Sequence, residues 1–295
     1  MEIADAIDIV KKSLDRRKFL KATGLASMGI AATTMVTGGA AALLAPSLAA
    51  ASTGTVKDPV TGDTPTEIFT AALIAEDLAT TFYYNGLVGP VINDPNLAGP
   101  GGTATHVAPG GNLGNVDYLR AALTEEIAHA DLFRALLGIS GSGSDPVQTF
   151  YFPNGVFDTL GPFIATLEAL ENAFIGAYLN AIVEFSRMAA AVASGKGSGI
   201  PSWKLSYYAE VAASILGVES EHRVLGRVIA NENPANNRDY ELVDGIYSVY
   251  NGPHSAVKAL TPFLTSSTGP AYSLGEALAG APSVDLPVGG GLPPS

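Results

Sequence analysis

Cysteine is absent from this chain of 295 residues. That absence excludes a disulfide framework, a cysteine-ligated zinc and a cysteine-ligated iron–sulfur cluster. Basic residues are scarce: 16 Lys and Arg stand against 28 Asp and Glu, for a formal charge of −12. A general nucleic-acid binder needs a basic stripe to displace counterions, so nucleic acid is not an expected partner. Histidine is rarer still, at four. No fixed-period repeat is present, and no strand-like alternation is strong enough to announce a sheet. What the chain does have is length enough for a substantial core and a hydrophobic content of 47%, which together exclude a stapled mini-domain and a wholly disordered polymer.

The charge is unevenly spread. Residues 1–51 carry six bases (Lys11, Lys12, Arg16, Arg17, Lys18, Lys21) and four acids, so residues 52–295 hold 10 bases and 24 acids, a charge of −14. Within the basic end, Asp15-Arg16-Arg17-Lys18-Phe19-Leu20-Lys21 is followed by an uncharged Ala/Gly/Thr-rich run from Ala22 to Ser52. The pattern resembles a twin-arginine export signal, with Asp15 where that signal usually has Ser or Thr. The resemblance implies passage through the twin-arginine translocase, cleavage after Ala49 or Ala51, and a periplasmic or extracellular destination. Without cleavage it implies membrane retention.

The rest reads as an all-α domain. Residues 52–63 form a polar linker. Thr64-Pro65-Thr66-Glu67 then has the form of a capping box with proline in the first turn, and Asn85-Gly86 reads as the stop of that first helix. Residues 88–115, with seven Gly and four Pro, predict a long irregular loop. Further helices are expected over 116–137, ending at Gly138, over 162–192 and over 201–230. The loop 139–161 contains the aromatic patch Phe150-Tyr151-Phe152, a candidate interaction surface. Residues 231–295 predict short helices or turns packed on a bundle, ending in a flexible Gly/Pro tail. Four helices of this length make a four-helix bundle the expected architecture.

Helical spacing then selects the polar residues that fall among apolar ones. Glu76 shares a face with Phe69, Leu73 and Tyr83; Glu126 and His129 with Leu119, Leu123 and Phe133. Glu171 sits with Leu167, Phe174 and Tyr178, and Glu219 and His222 with Tyr208, Ile215 and Ile229. Each helix thus puts a carboxylate inside its own apolar stripe, where an uncompensated charge is prohibitively costly. Two divalent cations would neutralise four carboxylates. The spacings Glu126-x-x-His129 and Glu219-x-x-His222 set carboxylate and imidazole one turn apart, a donor set suited to iron or manganese. One Glu from each of two helices plus Glu-x-x-His from the other two is the ligand pattern of dinuclear carboxylate bundles. Glu168, one turn before Glu171, is the alternative at that position. Glu125, Asp77 and Glu221 fall off the stripes and are expected in solvent, as are His106 and His254. Tyr83 and Tyr178 lie on the stripes, where core packing is their expected role and hydrogen bonding to a ligand the alternative.

These segments resemble the ferritin-like domain of bacterial exported and plant desiccation-related proteins. The resemblance rests on Ala75-Glu76-Asp77-Leu78 with Phe82-Tyr83, on Glu126-Ile127-Ala128-His129, on Leu170-Glu171 with Gly176-Ala177-Tyr178, and on Val218-Glu219-Ser220-Glu221-His222. It covers residues 64–230. The chain departs from the family in its long first loop and in Thr80-Thr81, where acids are frequent. The resemblance implies a ferritin-like four-helix bundle with stress or desiccation association, and it does not fix a reaction. The donor set itself points to two Fe or two Mn ions that react with oxygen or peroxide, as in ferroxidase, peroxidase or catalase-like chemistry, with a homo-oligomer as an assembly left open. A non-enzymatic protective or envelope role is the alternative. The absent cysteines exclude the rubredoxin-type relay of rubrerythrins.

Overall fold

A computed structural model describes residues 56–233 and 240–286. The export-signal residues and the Gly/Pro tail from Gly289 onward lie outside the described residues. Among the described residues the chain is mostly helical, and no helix is long and apolar enough to cross a membrane. Four long helices carry the fold: α1 (Pro65–Val88), α2 (Leu113–Leu137), α3 (Leu160–Ala193) and α4 (Ser202–Ile229). The bundle is built from two close helix pairs, α1 with α2 and α3 with α4, which face one another more loosely as α1 on α3 and α2 on α4. Phe82 stacks on Phe163 at 4.8 Å between centroids, while Phe69 meets Phe185 at 5.4 Å. That order of contacts sets α1 and α3 antiparallel.

The helix ends follow local chemistry. Thr64 accepts from the Glu67 amide and Glu67 accepts from the Thr64 amide, which completes the predicted capping box. Helix α1 nevertheless runs past Asn85-Gly86 to Val88. The Asn85 side chain donates to the Thr81 carbonyl instead of capping. Gly86 serves close approach: a Cβ there would lie 2.5 Å from Cε2 of Phe163. The stop comes at Gly89-Pro90, because a residue before proline disfavours helical backbone. Helix α2 begins three residues earlier than expected because Asn112 accepts from the Asn115 amide as a cap. It ends at Gly138 in the left-handed region (φ 72°), with the Ile139 amide donating to the Arg134 carbonyl as in a Schellman motif.

Two expectations about the periphery are corrected. A small antiparallel sheet is present, pairing β1 (Thr149–Tyr151) with β2 (Ala271–Ser273), with Phe150 opposite Tyr272. Three-residue strands carry too little alternation to register in sequence. The patch Phe150-Tyr151-Phe152 is likewise no open interaction surface: Phe150 and Phe152 are fully buried, and Phe152 packs against Phe82, Phe157, Phe263 and Tyr272. The C-terminal extension is what covers them. Its short helices α5 (Ala256–Leu260) and α6 (Leu274–Gly280) pack on α3 and α1. Beyond α6, Arg120 of α2 donates to the carbonyls of Val284 and Asp285.

Buried acids fasten the other approaches. Asp63 accepts from the amides of Tyr250 and Asn251, and Glu184 of α3 accepts from that of Val249. Asp58 binds Arg187 through two hydrogen bonds at 2.7 and 2.9 Å. Burial, then the adjacent Asp63, pushes the Glu184 carboxyl up to about 8. The folded chain therefore holds a proton on Glu184 that the unfolded chain has lost above the ordinary carboxylate range, so this group's contribution to stability falls as pH rises from about 5 to about 8. Glu184→Gln, permanently neutral, is expected to flatten that decline. Its Tm at pH 8 should exceed the native value by about 2–4 °C per kcal/mol recovered, read by thermal denaturation across pH. An unchanged slope would sink this reading.

Candidate metal centre

The apolar interior is divided along the bundle. One core gathers around Leu78, Phe82, Leu123, Phe163 and Leu225, and a second around Phe69, Phe133, Phe185, Tyr208 and Ile215. Glu76, Glu126, Glu171 and Glu219 occupy the seam between them, because each sits within one helical stretch that feeds both cores. All four are at most 2% exposed, and His222 is equally buried. The His129 side chain is 14% exposed, against 3% for that of His222.

The predicted residues come together as two overlapping groups. Glu76, Glu126, His129 and Glu219 offer donor atoms that all lie within 4.8 Å of one another, and so do Glu126, Glu171, Glu219 and His222. Nδ1 of His129 stands 3.2 Å from Glu76, 3.8 Å from Glu126 and 3.7 Å from Glu219. Nδ1 of His222 stands 3.0 Å from Glu126, 3.5 Å from Glu219 and 3.9 Å from Glu171. Glu126 and Glu219 thus belong to both groups.

Hydrogen bonding leaves this centre unfinished. Both oxygens of Glu126, both of Glu219, Oε2 of Glu171 and Nδ1 of His222 are buried without a hydrogen-bond partner. Buried polar atoms are seldom left so, and here six converge on one point. Burial first, then the neighbouring carboxylates, raises the carboxyls of Glu126, Glu171 and Glu219. Burial pulls the two imidazoles down, but the surrounding glutamates outweigh it and hold both well above the ordinary histidine range. The convergent oxygen and nitrogen donors fit divalent iron or manganese. A cation there would satisfy the orphaned atoms and offset the repulsion together.

Tyr83 and Tyr178 do more than fill the core. The Tyr83 hydroxyl donates to Oε1 of Glu171 at 2.5 Å, and that of Tyr178 donates to Oε1 of Glu76. Each tyrosine lies seven residues after the glutamate of its own helix and holds the glutamate of the other. Burial, then the carboxylates, pushes both phenols well above their ordinary value, so each keeps its proton and stays a donor.

Other expected placements divide. Glu171, not Glu168, joins the centre; Glu168 pairs with Arg227 at 3.2 Å. His106, His254 and Glu221 are exposed as expected. Asp77 is a correction: it is fully buried and ion-paired with Arg134, which also binds Asp145 and Asp131. Helix α1 is buried on its outer side too, because α6 and the loop after α2 cover it, so a stripe computed for a two-sided helix misplaces Asp77. Glu125 is half-exposed, yet its Oε2 lies 2.9 Å from Nε2 of His222. Only its adjacency to Glu126 marked it in sequence.

A model of the ferritin-like domain matches residues 64–232, more than half of the chain. The chain belongs to the ferritin-like domain family. The matched region contains all six cluster residues. Comparison with curated proteins and with solved structures gives no match for this ferritin-like chain.

Carboxylates held for a cation should destabilise the metal-free bundle. Glu219→Gln is therefore expected to raise the metal-free Tm, by about 2–4 °C for each kcal/mol of repulsion relieved. The same variant should lose the further rise that Mn(II) or Fe(II) gives the native chain. Differential scanning fluorimetry with and without metal reads both. A lower metal-free Tm in the variant would contradict this account of the cluster.

Proposed function

We propose that this chain is an exported ferritin-like protein that holds two iron or manganese ions among its four long helices. In this reading it oxidises metal or removes oxygen or peroxide species as protection in stress or desiccation. The observation that carries the proposal is the pair of overlapping donor groups, each with one histidine, joined through Glu126 and Glu219. A carboxylate common to two groups is what a bridging ligand requires, and both bridging candidates keep both oxygens free. Bound iron or manganese supplies reversible oxidation and reduction.

The chain's own side chains supply the setting. Glu126 and Glu219 present charge from opposite helix pairs. Tyr83 occupies one oxygen of Glu171 and leaves the other turned free in the interior. The flanking apolar cores exclude water, so charge in the seam is felt strongly. The absent cysteines exclude a built-in rubredoxin-type relay, so electrons come from the metal ion being oxidised, from peroxide itself or from a separate donor.

Export is supported by Arg16-Arg17 with Phe19-Leu20-Lys21, and the stress or desiccation role by the resemblance of the helix motifs. Elemental analysis after reconstitution, paired with the optical spectrum on peroxide addition, tests the central reading. About two metals per chain are expected, with a spectrum that responds to peroxide; less than about a tenth of a metal per chain overturns it. If Glu126→Ala with His222→Ala leaves the physiological role intact, the protein protects without metal chemistry. Arg16→Lys with Arg17→Lys is expected to abolish the exported fraction and leave precursor in the cytoplasm, read by cell fractionation. Undiminished export of that variant would remove the twin-arginine route.

A further inference from the structure

The two donor groups match in chemistry but not in what stands behind them. Each has one glutamate of its own, the two shared glutamates and one histidine. A difference between them therefore has to come from the far side of the imidazoles.

Behind His222 that side is occupied. Its Nε2 lies 2.9 Å from Oε2 of Glu125, so the ring donates outward to a carboxylate and turns Nδ1 toward Glu126 and Glu219. Nδ1 makes no hydrogen bond there. The ring is thus oriented, its tautomer set and its Nδ1 turned into the cluster, and a carboxylate behind an imidazole also strengthens it as a ligand.

Behind His129 the equivalent support is missing. Glu125 immediately precedes Glu126 on α2; the residue that precedes Glu219 on α4 is Val218, which has neither charge nor acceptor. Among the described residues no hydrogen bond reaches Nε2 of His129. Its Nδ1 faces Glu76 at 3.2 Å, much as that of His222 faces Glu126 at 3.0 Å, so the difference lies behind the rings. Its side chain is also the more exposed of the two.

We propose that the two metal positions are unequal: Glu125 makes the His222 position the tight one, and the His129 position exchanges its ion with solvent. Glu125 acts as a positioning residue, through His222. This rests on the dinuclear reading and adds to it a division of labour, with one resident ion and one ion that enters and leaves as cargo or substrate. Removing a carboxylate behind a metal-bound histidine typically weakens affinity by about 10–100-fold, and the two binding steps should be separated by a gap of that order.

Anaerobic titration of the full chain with Co(II), followed by its visible absorption and by competition with a chelator, reads the steps separately. The native chain should show a tight step and a step about 10–100-fold weaker. Glu125→Ala should weaken the tight step by a similar factor and leave the weak one in place. Glu125 is half-exposed on a helix, so the variant should fold, which circular dichroism verifies. His129→Ala should retain the tight step, and His222→Ala should lose it. Two equal steps in the native chain, equal weakening of both by Glu125→Ala, or loss of the tight step in His129→Ala would each overturn the inequality while leaving a dinuclear site standing. A chain that takes up no Co(II) overturns both readings.

Discussion

Four glutamates meet at the seam between two apolar cores, and among the described residues no lysine or arginine is paired with them. Everything near the centre answers to that constraint. The helices are held in two close pairs that face one another more loosely, and the four carboxylates meet between them. Two phenols and two imidazoles provide the local hydrogen bonding. They leave the shared pair, Glu126 and Glu219, close to both imidazoles but with no hydrogen bond at any of their oxygens.

Burial alone does not mark an acid as part of such a site. Asp58, Asp63, Asp77 and Glu184 are as deeply buried as the central glutamates. Yet Asp58 and Asp77 have arginines, and Asp63 and Glu184 have backbone amides. These acids tie the segment before α1, the loop after α2 and the C-terminal extension onto the bundle. The difference is one of degree: each of these peripheral acids has at least one hydrogen bond that fastens a segment, whereas Glu126 and Glu219 have none at either oxygen.

The long-range architecture was legible because it rests on long periodic segments. Four stripes, two Glu-x-x-His spacings and the Thr64 capping box each carry several consistent residues, and their helices form where expected. The six proposed ligands were legible for the same reason, since each stripe points its polar member inward. What escaped was set by packing from outside the repeat. Asp77 reads as solvent-facing until the extension and the loop after α2 cover α1. Phe150 and Phe152 read as surface until a three-residue strand pairs with another more than a hundred residues later. Gly86 reads as a helix stop, whereas it makes room for a ring of a different helix. Glu125 escaped because its partner lies on α4, and a single helix's periodicity contains no cross-helix distance.

The crossed tyrosines carry a consequence for assembly. Tyr83 reaches from α1 to α3 and Tyr178 from α3 back to α1, one turn of helix being about 5.4 Å of travel. Sliding one helix past the other by a turn would break both bonds at once, and the pair therefore indexes the two helices like pins in a lock. The residues that index them are the same ones that steady Glu76 and Glu171. A bundle closed out of register would scatter the carboxylates along with its pins, so the proposed metal uptake would double as a readout of correct folding.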